Sequence, residues 1–211
     1  MMQAISAPLQ RPLPKPLDVA KYDPFLADCP QIDATHPAIQ DQAEILAFRL
    51  MDDEDITRAC YEWVRDEVAH TGDVGEGPVT CKASDVLEHR TGFCFAKSHL
   101  LAALLRANGV PAGMTYQRLR ADDGTRYVLH GLNVVHLPRL GWYRMDARGN
   151  TDGVDAQFTP PNEHLAWTGK EPGEINFDPV WATPMKEVVE MLETYDTVKD
   201  VQKNMIDIVQ M

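Results

Sequence analysis

Between Gly92 and Gly109 the stretch "FCFAKSHLLAALLRAN" is apolar on most sides of a helical wheel, with Leu100, Leu101, Ala103, Leu104 and Leu105 spread around it. Most helices of soluble domains carry one apolar stripe, and a helix apolar nearly all round must be enclosed. The spacing predicts a helix from Cys94 to Asn108, closed by Gly109 in a left-handed C-terminal cap, lying centrally with other layers around it.

The flanking sequence supplies those layers. The pattern "THPAIQDQAEILAFRL" (35–50) has a near-initial Pro37 and apolar residues at Ile39, Ala43, Leu46 and Leu50, a helical stripe. A second helix is expected from Asp53 to His70, with Ile56, Cys60, Trp63, Val64 and Val68 on one face and the acidic run Asp52–Asp55 complementing its positive end. "TGDVGEGPVT" (71–80) reads as loop, and "ASDVLEHR" as a short helix with Ser84 as its cap. After Pro111 the composition turns to β-branched and aromatic residues. "AGMTYQRLR", "TRYVLHGLNVVHL" and "GWYRMDARG", separated by "ADDG" and "PRL", predict a three-stranded antiparallel meander. Residues 151–181 are loop-rich, and Thr183–Pro184 open a helical tail to Met211.

The expected organisation is a Pro-rich extended arm over 1–20 and one domain over 21–211, its core at about 55–150. The fold class is α+β, a helical layer with the cysteine helix at its centre, packed on an antiparallel sheet.

Composition narrows the partners. Lys and Arg total 20 against 32 Asp and Glu, a formal charge of -12, and phosphate binding needs clustered cations, so no nucleic acid is expected. No apolar run approaches the roughly 18 residues of a membrane span, so no membrane is expected either. The N-terminus does not read as a secretory signal, which suggests the cytoplasm and four reduced cysteines. Oligomeric state is left open.

Cys94 carries the chemical interest. At the mouth of a helix the first N–H groups lack internal acceptors, and the positive end potential favours a thiolate and an oxyanion alike. That position suits a nucleophile. A cysteine between Phe93 and Phe95 suits equally a small buried apolar residue. A nucleophilic cysteine requires a base, and a histidine base an acceptor that orients it. If "PRL" makes a three-residue hairpin loop, facing residue numbers sum to 278. Asp146 then opposes Leu132 and is the diagonal neighbour of His130 on one face; a two- or four-residue loop would separate them. By the same parity Asn133 points away from His130. A four-residue "ADDG" loop pairs Thr115 with His130 and leaves Gln117 diagonal to it, at the border of the site or on the surface.

The segments "GFCFAKSHLLAALLRANGVPAG", "LHGLNVV" and "WYRMDARGN", with "ACYEWVRDEVAH" and "ASDVLEHRTG" upstream, resemble the core of the transglutaminase-like superfamily over about residues 55–150. The likeness departs from the family at Gly131-Leu132, where an aromatic often follows the histidine, and at Arg148-Gly149-Asn150. What the resemblance implies is a Cys94–His130–Asp146 triad performing acyl chemistry through a thioester. The implied enzyme is a cysteine protease, an amidase or a transglutaminase-like acyltransferase, with a peptide or γ-glutamyl-type amide as substrate. Gln117, Phe95 and Arg148 are the candidates for substrate or oxyanion contacts. No cofactor is called for. Separations of eight, five and five among Cys81, His89, Cys94 and His99 fit no usual zinc spacing, so no metal is expected. His99 reads as structural and Cys60 as core. Two alternatives stand beside this reading: acetyl transfer of the arylamine N-acetyltransferase kind, and a catalytically silent binding module on the same fold.

Overall fold

The computed structural model describes residues 19–121 and 123–210; the Pro-rich arm lies outside them except for Val19 and Ala20, which begin a short helix, α1 (Val19–Tyr22). A 3-10 turn at Asp23–Phe25 follows, then α2 (Pro37–Leu46) and α3 (Asp53–Glu67). Asp52 caps α3 by accepting from the Glu54 N–H at 2.9 Å.

Helix α3 stops before His70. Val68 turns extended, and Ala69–His70 (β1) pairs in parallel with Thr91–Gly92 (β2), the Ala69 N–H reaching the Arg90 carbonyl at 2.9 Å. The carbonyls freed at the end of α3 are taken by buried Lys97, whose ammonium bonds to Val68 O and Arg65 O. A tertiary donor, rather than a local cap, sets this boundary.

The expected loop at 71–80 contains one helical turn, α4 (Thr71–Val74), closed by Gly75 at a φ of 77°. In α5 (Ala83–His89) Ser84 is not the cap; its N–H donates at 3.1 Å to the carboxylate of Asp33. Helix α6 runs Cys94–Ala107, and Gly109 takes a φ of 75°. Every residue of α6 from Cys94 to Arg106 is buried. Helices α2, α3 and α5 pack on one side of it and the sheet on the other. The guanidinium of Arg106 is satisfied by the carbonyls of Ala112, Ala27 and Ala182, so its charge is not left bare.

The sheet has four strands in the order β5-β4-β3-β6: β3 (Ala112–Arg120), β4 (Tyr127–Leu137), β5 (Gly141–Met145) and β6 (Ile175–Asn176). Asn133 opposes Met145, a sum of 278, as the three-residue loop requires. The first hairpin differs from expectation. Gln117 opposes His130 directly, because the connection runs from Ala121 to Arg126, two residues longer than "ADDG". A shift of two preserves the face each side chain occupies. Strand β6, added along β3, is two residues inside the loop-rich region and has no pattern of its own.

The tail breaks where one helical stretch was expected. α7 (Lys186–Thr194) and α8 (Val198–Lys203) are separated at Tyr195–Thr197, where Thr197 caps α8 through the Asp200 N–H, and residues 205–208 are not helical. Among the described residues no helix is long and apolar enough to cross a membrane.

Candidate active site

Strand β2 delivers the chain to the head of α6 through a close approach. A Cβ on Gly92 would sit 3.2 Å from Ala96 Cβ and 3.3 Å from the Lys97 backbone nitrogen. Phe93 at the N-cap offers no side-chain acceptor to the first turn, so the N–H groups there remain directed at the end where Cys94 stands. Cys94 is 4% exposed.

The meander supplies the partners. His130 lies in β4 and Asp146 one residue beyond β5, and the observed β4/β5 register brings His130 Nε2 to 2.8 Å from Asp146 Oδ2. Asp146 is fully buried, and its second oxygen accepts the Arg148 N–H at 3.0 Å. With Nε2 turned to the carboxylate, Nδ1 is the His130 nitrogen left for the sulfur.

Electrostatics single out this thiol. Burial pushes the thiols of Cys60 and Cys81 up to about 12. Burial acts on Cys94 in the same direction, yet the closeness of the His130 imidazole, and after it of His70, outweighs it and brings the thiol down to about 6. His130 moves the other way: burial lowers it, and Asp146 and Cys94 together raise it well above the usual imidazole range. Asp146 is held below the ordinary carboxylate range, because His130 and neighbouring backbone N–H groups overcome its burial. The shifts of Cys94 and His130 both favour the charged forms, thiolate and imidazolium.

Cys94 and His130 open on a cleft of about 390 Å³, whose wall also includes His70, Arg148, Trp167 and Met205. Trp167, from the loop-rich region, packs edge-on against the His130 ring with centroids 5.0 Å apart. Met205 follows α8, so both late segments of the chain shape the cleft.

The other candidates lie around this centre in different ways. Arg148 lines the cleft, but its guanidinium is engaged bidentately by Asp73 at 2.7 and 2.9 Å. Gln117 is buried behind the wall; its amide donates to the Trp167 carbonyl at 3.1 Å and to Asn176 Oδ1 at 2.7 Å, tying the tryptophan loop to the sheet. The Phe95 ring is buried in the core against Gly131. A Cβ on Gly131 would come within 2.6 Å of Phe95 Cδ1, so an aromatic side chain there is incompatible with the seating of α6. Asn133 donates to Ser98 O at 2.9 Å, away from His130. His99 is buried with Nδ1 2.7 Å from Cys81 O, and burial lowers it to about 4. Among the described residues no group of three or more His, Cys, Asp or Glu is arranged as a metal site.

Two participants escaped sequence reasoning. Trp167 sits in a region with no motif. His70 was absorbed into a helix that ends short of it, although Asp73 three residues on, with Nδ1–Oδ1 at 3.3 Å, was a visible signal.

Residues 44–147 match the family model described as the transglutaminase-like superfamily. Among solved structures, the chain is similar to a candidate cysteine protease from Cytophaga hutchinsonii. The TM-score is 0.51 at 20% identity over 61% of this chain and 42% of that one, a likeness of fold. The periplasmic domain of TgpA from Pseudomonas aeruginosa matches at a TM-score of 0.48, with 19% identity over 63% of this chain and 48% of that one. The match thus spans less than half the length of either structure. A search of curated proteins finds no match.

Proposed function

We propose, from the premise that residues 44–147 belong to the transglutaminase-like superfamily, that this thiol-dependent enzyme is a hydrolase or acyltransferase. In this reading it acts on a peptide or γ-glutamyl-type amide through a thioester on Cys94. The observation that carries the reading is the 2.8 Å His130–Asp146 pair beside the one buried thiol whose pKa is lowered.

The Cys94 thiolate attacks the amide carbonyl; a C–S bond forms and the carbonyl π pair moves onto oxygen. Unpaired N–H groups at the head of α6 are aimed at this charge, the kind of preorganised donors that stabilise an oxyanion. His130, carrying the proton, delivers it to the leaving amine as the C–N bond breaks. A water or a second amine then attacks the thioester carbon and gives its proton back to His130, and the C–S bond breaks to return the Cys94 thiolate and release the acid or new amide. Asp146, sealed from solvent, fixes the ring so that Nδ1 faces the sulfur, and it supports the imidazolium. A free thiol of this kind also suits a reducing compartment, and all four cysteines are unpaired.

The test is alkylation by iodoacetamide at pH 7, read by intact mass and peptide mapping, followed by a screen of peptide, glutamine-amide and thioester donors. Cys94 of the parent should label far faster than any other cysteine, and Cys94→Ala should lose both the rapid label and turnover. Equal labelling of parent and Cys94→Ala would remove the nucleophile from the scheme. Acetyl transfer from acetyl-coenzyme A with no amide turnover would assign the site to the other acyl chemistry.

A further inference from the structure

His70 comes from β1 rather than from the four-stranded sheet, yet it lines the same cleft as Cys94. Its backbone pairs with Gly92 across β1 and β2, two residues before Cys94, and its ring packs edge-on against Phe93 with centroids 6.0 Å apart. The ring shares the cleft wall with Cys94 and His130. Its orientation is specified from several directions. Nδ1 is buried and makes no hydrogen bond, but it lies 3.3 Å from Asp73 Oδ1, close enough for ion pairing, and Asp73 is in turn clamped by both terminal nitrogens of Arg148. A Cβ on Gly72 would come within 2.9 Å of the ring, so the glycine leaves room for it. Gln202 of α8 donates to the Gly72 carbonyl at 3.2 Å, and Lys97 holds the chain at Val68. With Nδ1 facing Asp73, Nε2 is the nitrogen left for the thiol.

We propose that His70 is a second imidazole of the reaction centre, oriented by Asp73 and Arg148, which donates a hydrogen bond to the Cys94 sulfur from the side opposite His130. This rests on the reading of Cys94 as the nucleophile. The sulfur is then flanked by two carboxylate-backed histidines, His130 exchanging the proton and His70 stabilising the thiolate as an imidazolium, because Nδ1 faces a carboxylate while Nε2 donates and both must carry a proton. The charged groups facing His70 are Asp73 and Arg148 from its own side and Cys94 and His130 across the cleft. A hydrogen bond to a charged group is worth about one to two pK units, so losing this donor should raise the apparent thiol pKa by at least about one unit.

The experiment is the rate of iodoacetamide alkylation of Cys94 between pH 5 and 9 in the full chain, for the parent, His70→Ala, His70→Gln and His130→Ala, each checked for folding by circular dichroism. The parent should be at half its maximal rate near pH 6 and reach its plateau above about pH 7. His70→Ala should shift the curve up by about one unit and cut the rate at pH 6 by about fivefold. His70→Gln, which keeps a side-chain N–H of similar reach, should fall between the two. If the His70→Ala curve superimposes on the parent while His130→Ala moves, His70 has no part in the centre and the proposed function is untouched. Equal shifts for the Ala and Gln variants would show that a side-chain N–H at this place does not support the thiolate and would overturn the role of His70 as donor. A parent thiol titrating near its ordinary value overturns both proposals together.

Discussion

The cleft is bounded by two walls that use the same chemistry in different surroundings. On the sheet side, His130 and Asp146 are 5% and 0% exposed, come from separate strands, and meet at 2.8 Å. On the helical side, His70 and Asp73 are partly open to solvent, lie three residues apart, and approach to 3.3 Å, with Asp73 also serving Arg148. The first pair is shut away from the solvent that would screen it, so its electrostatics are strong and its geometry is dictated by strand register. The second is local, wet and shared, which makes it an adjustable support. Residue identity alone would have ranked the two pairs equally; burial separates them.

Substitutions can widen or erase that contrast. The largest effect should come from Asp146→Asn, which preserves shape but removes the charge behind His130; turnover should fall on the order of 10³–10⁴-fold, measured as kcat with the best amide donor. Asp73→Asn should cost less than about tenfold in alkylation rate at pH 6, because Arg148 and solvent compensate. Equal losses at the two aspartates would abolish the distinction between the walls.

Packing should follow the same order. Gly131→Ala presses a methyl group to 2.6 Å from the Phe95 ring and 3.2 Å from its Cα, a backbone atom that cannot give way, so thermal unfolding should show a loss of about 1–3 kcal/mol. Gly72→Ala meets side chains rather than backbone, the His70 ring at 2.9 Å and Phe93 at 3.5 Å, and should cost less than about 1 kcal/mol while moving the alkylation curve.

Lys97, beneath both walls, carries a dependence on pH whose direction follows from its burial. Burial lowers its ammonium to about 7, against the ordinary value of 10.5 that the unfolded chain keeps. Between those values the unfolded state binds more protons, so this group makes stability rise with pH, by at most about 1.4 kcal/mol per unit. The effect should be clearest from pH 7 to 8.5, before the raised thiols of Cys60 and Cys81 begin to pull the other way. Lys97→Met should flatten that rise in urea denaturation; an unchanged slope would show that the folded ammonium keeps its proton.

Much of this was legible in the residues themselves. The all-round apolarity of Leu100–Leu105 announced an enclosed helix, and the three-residue "PRL" loop was enough to place Asp146 beside His130, since parity in a hairpin depends only on loop length. The "ADDG" hairpin failed in its register because turn residues mark where a loop is but not how many neighbours join it. Ser84 failed as a cap because Asp33, distant in sequence, reached the helix end first.

The sequence by itself determined the helix that carries Cys94, the meander, and the facing of His130 and Asp146, all of which depend on local periodicity and short loops. Only the tertiary structure decided that His70 would face the same sulfur, that Trp167 would cover His130, and that Arg148 would be spent on Asp73. Those contacts join segments tens of residues apart, and their energies come from burial and desolvation, which exist only once the layers have closed around α6.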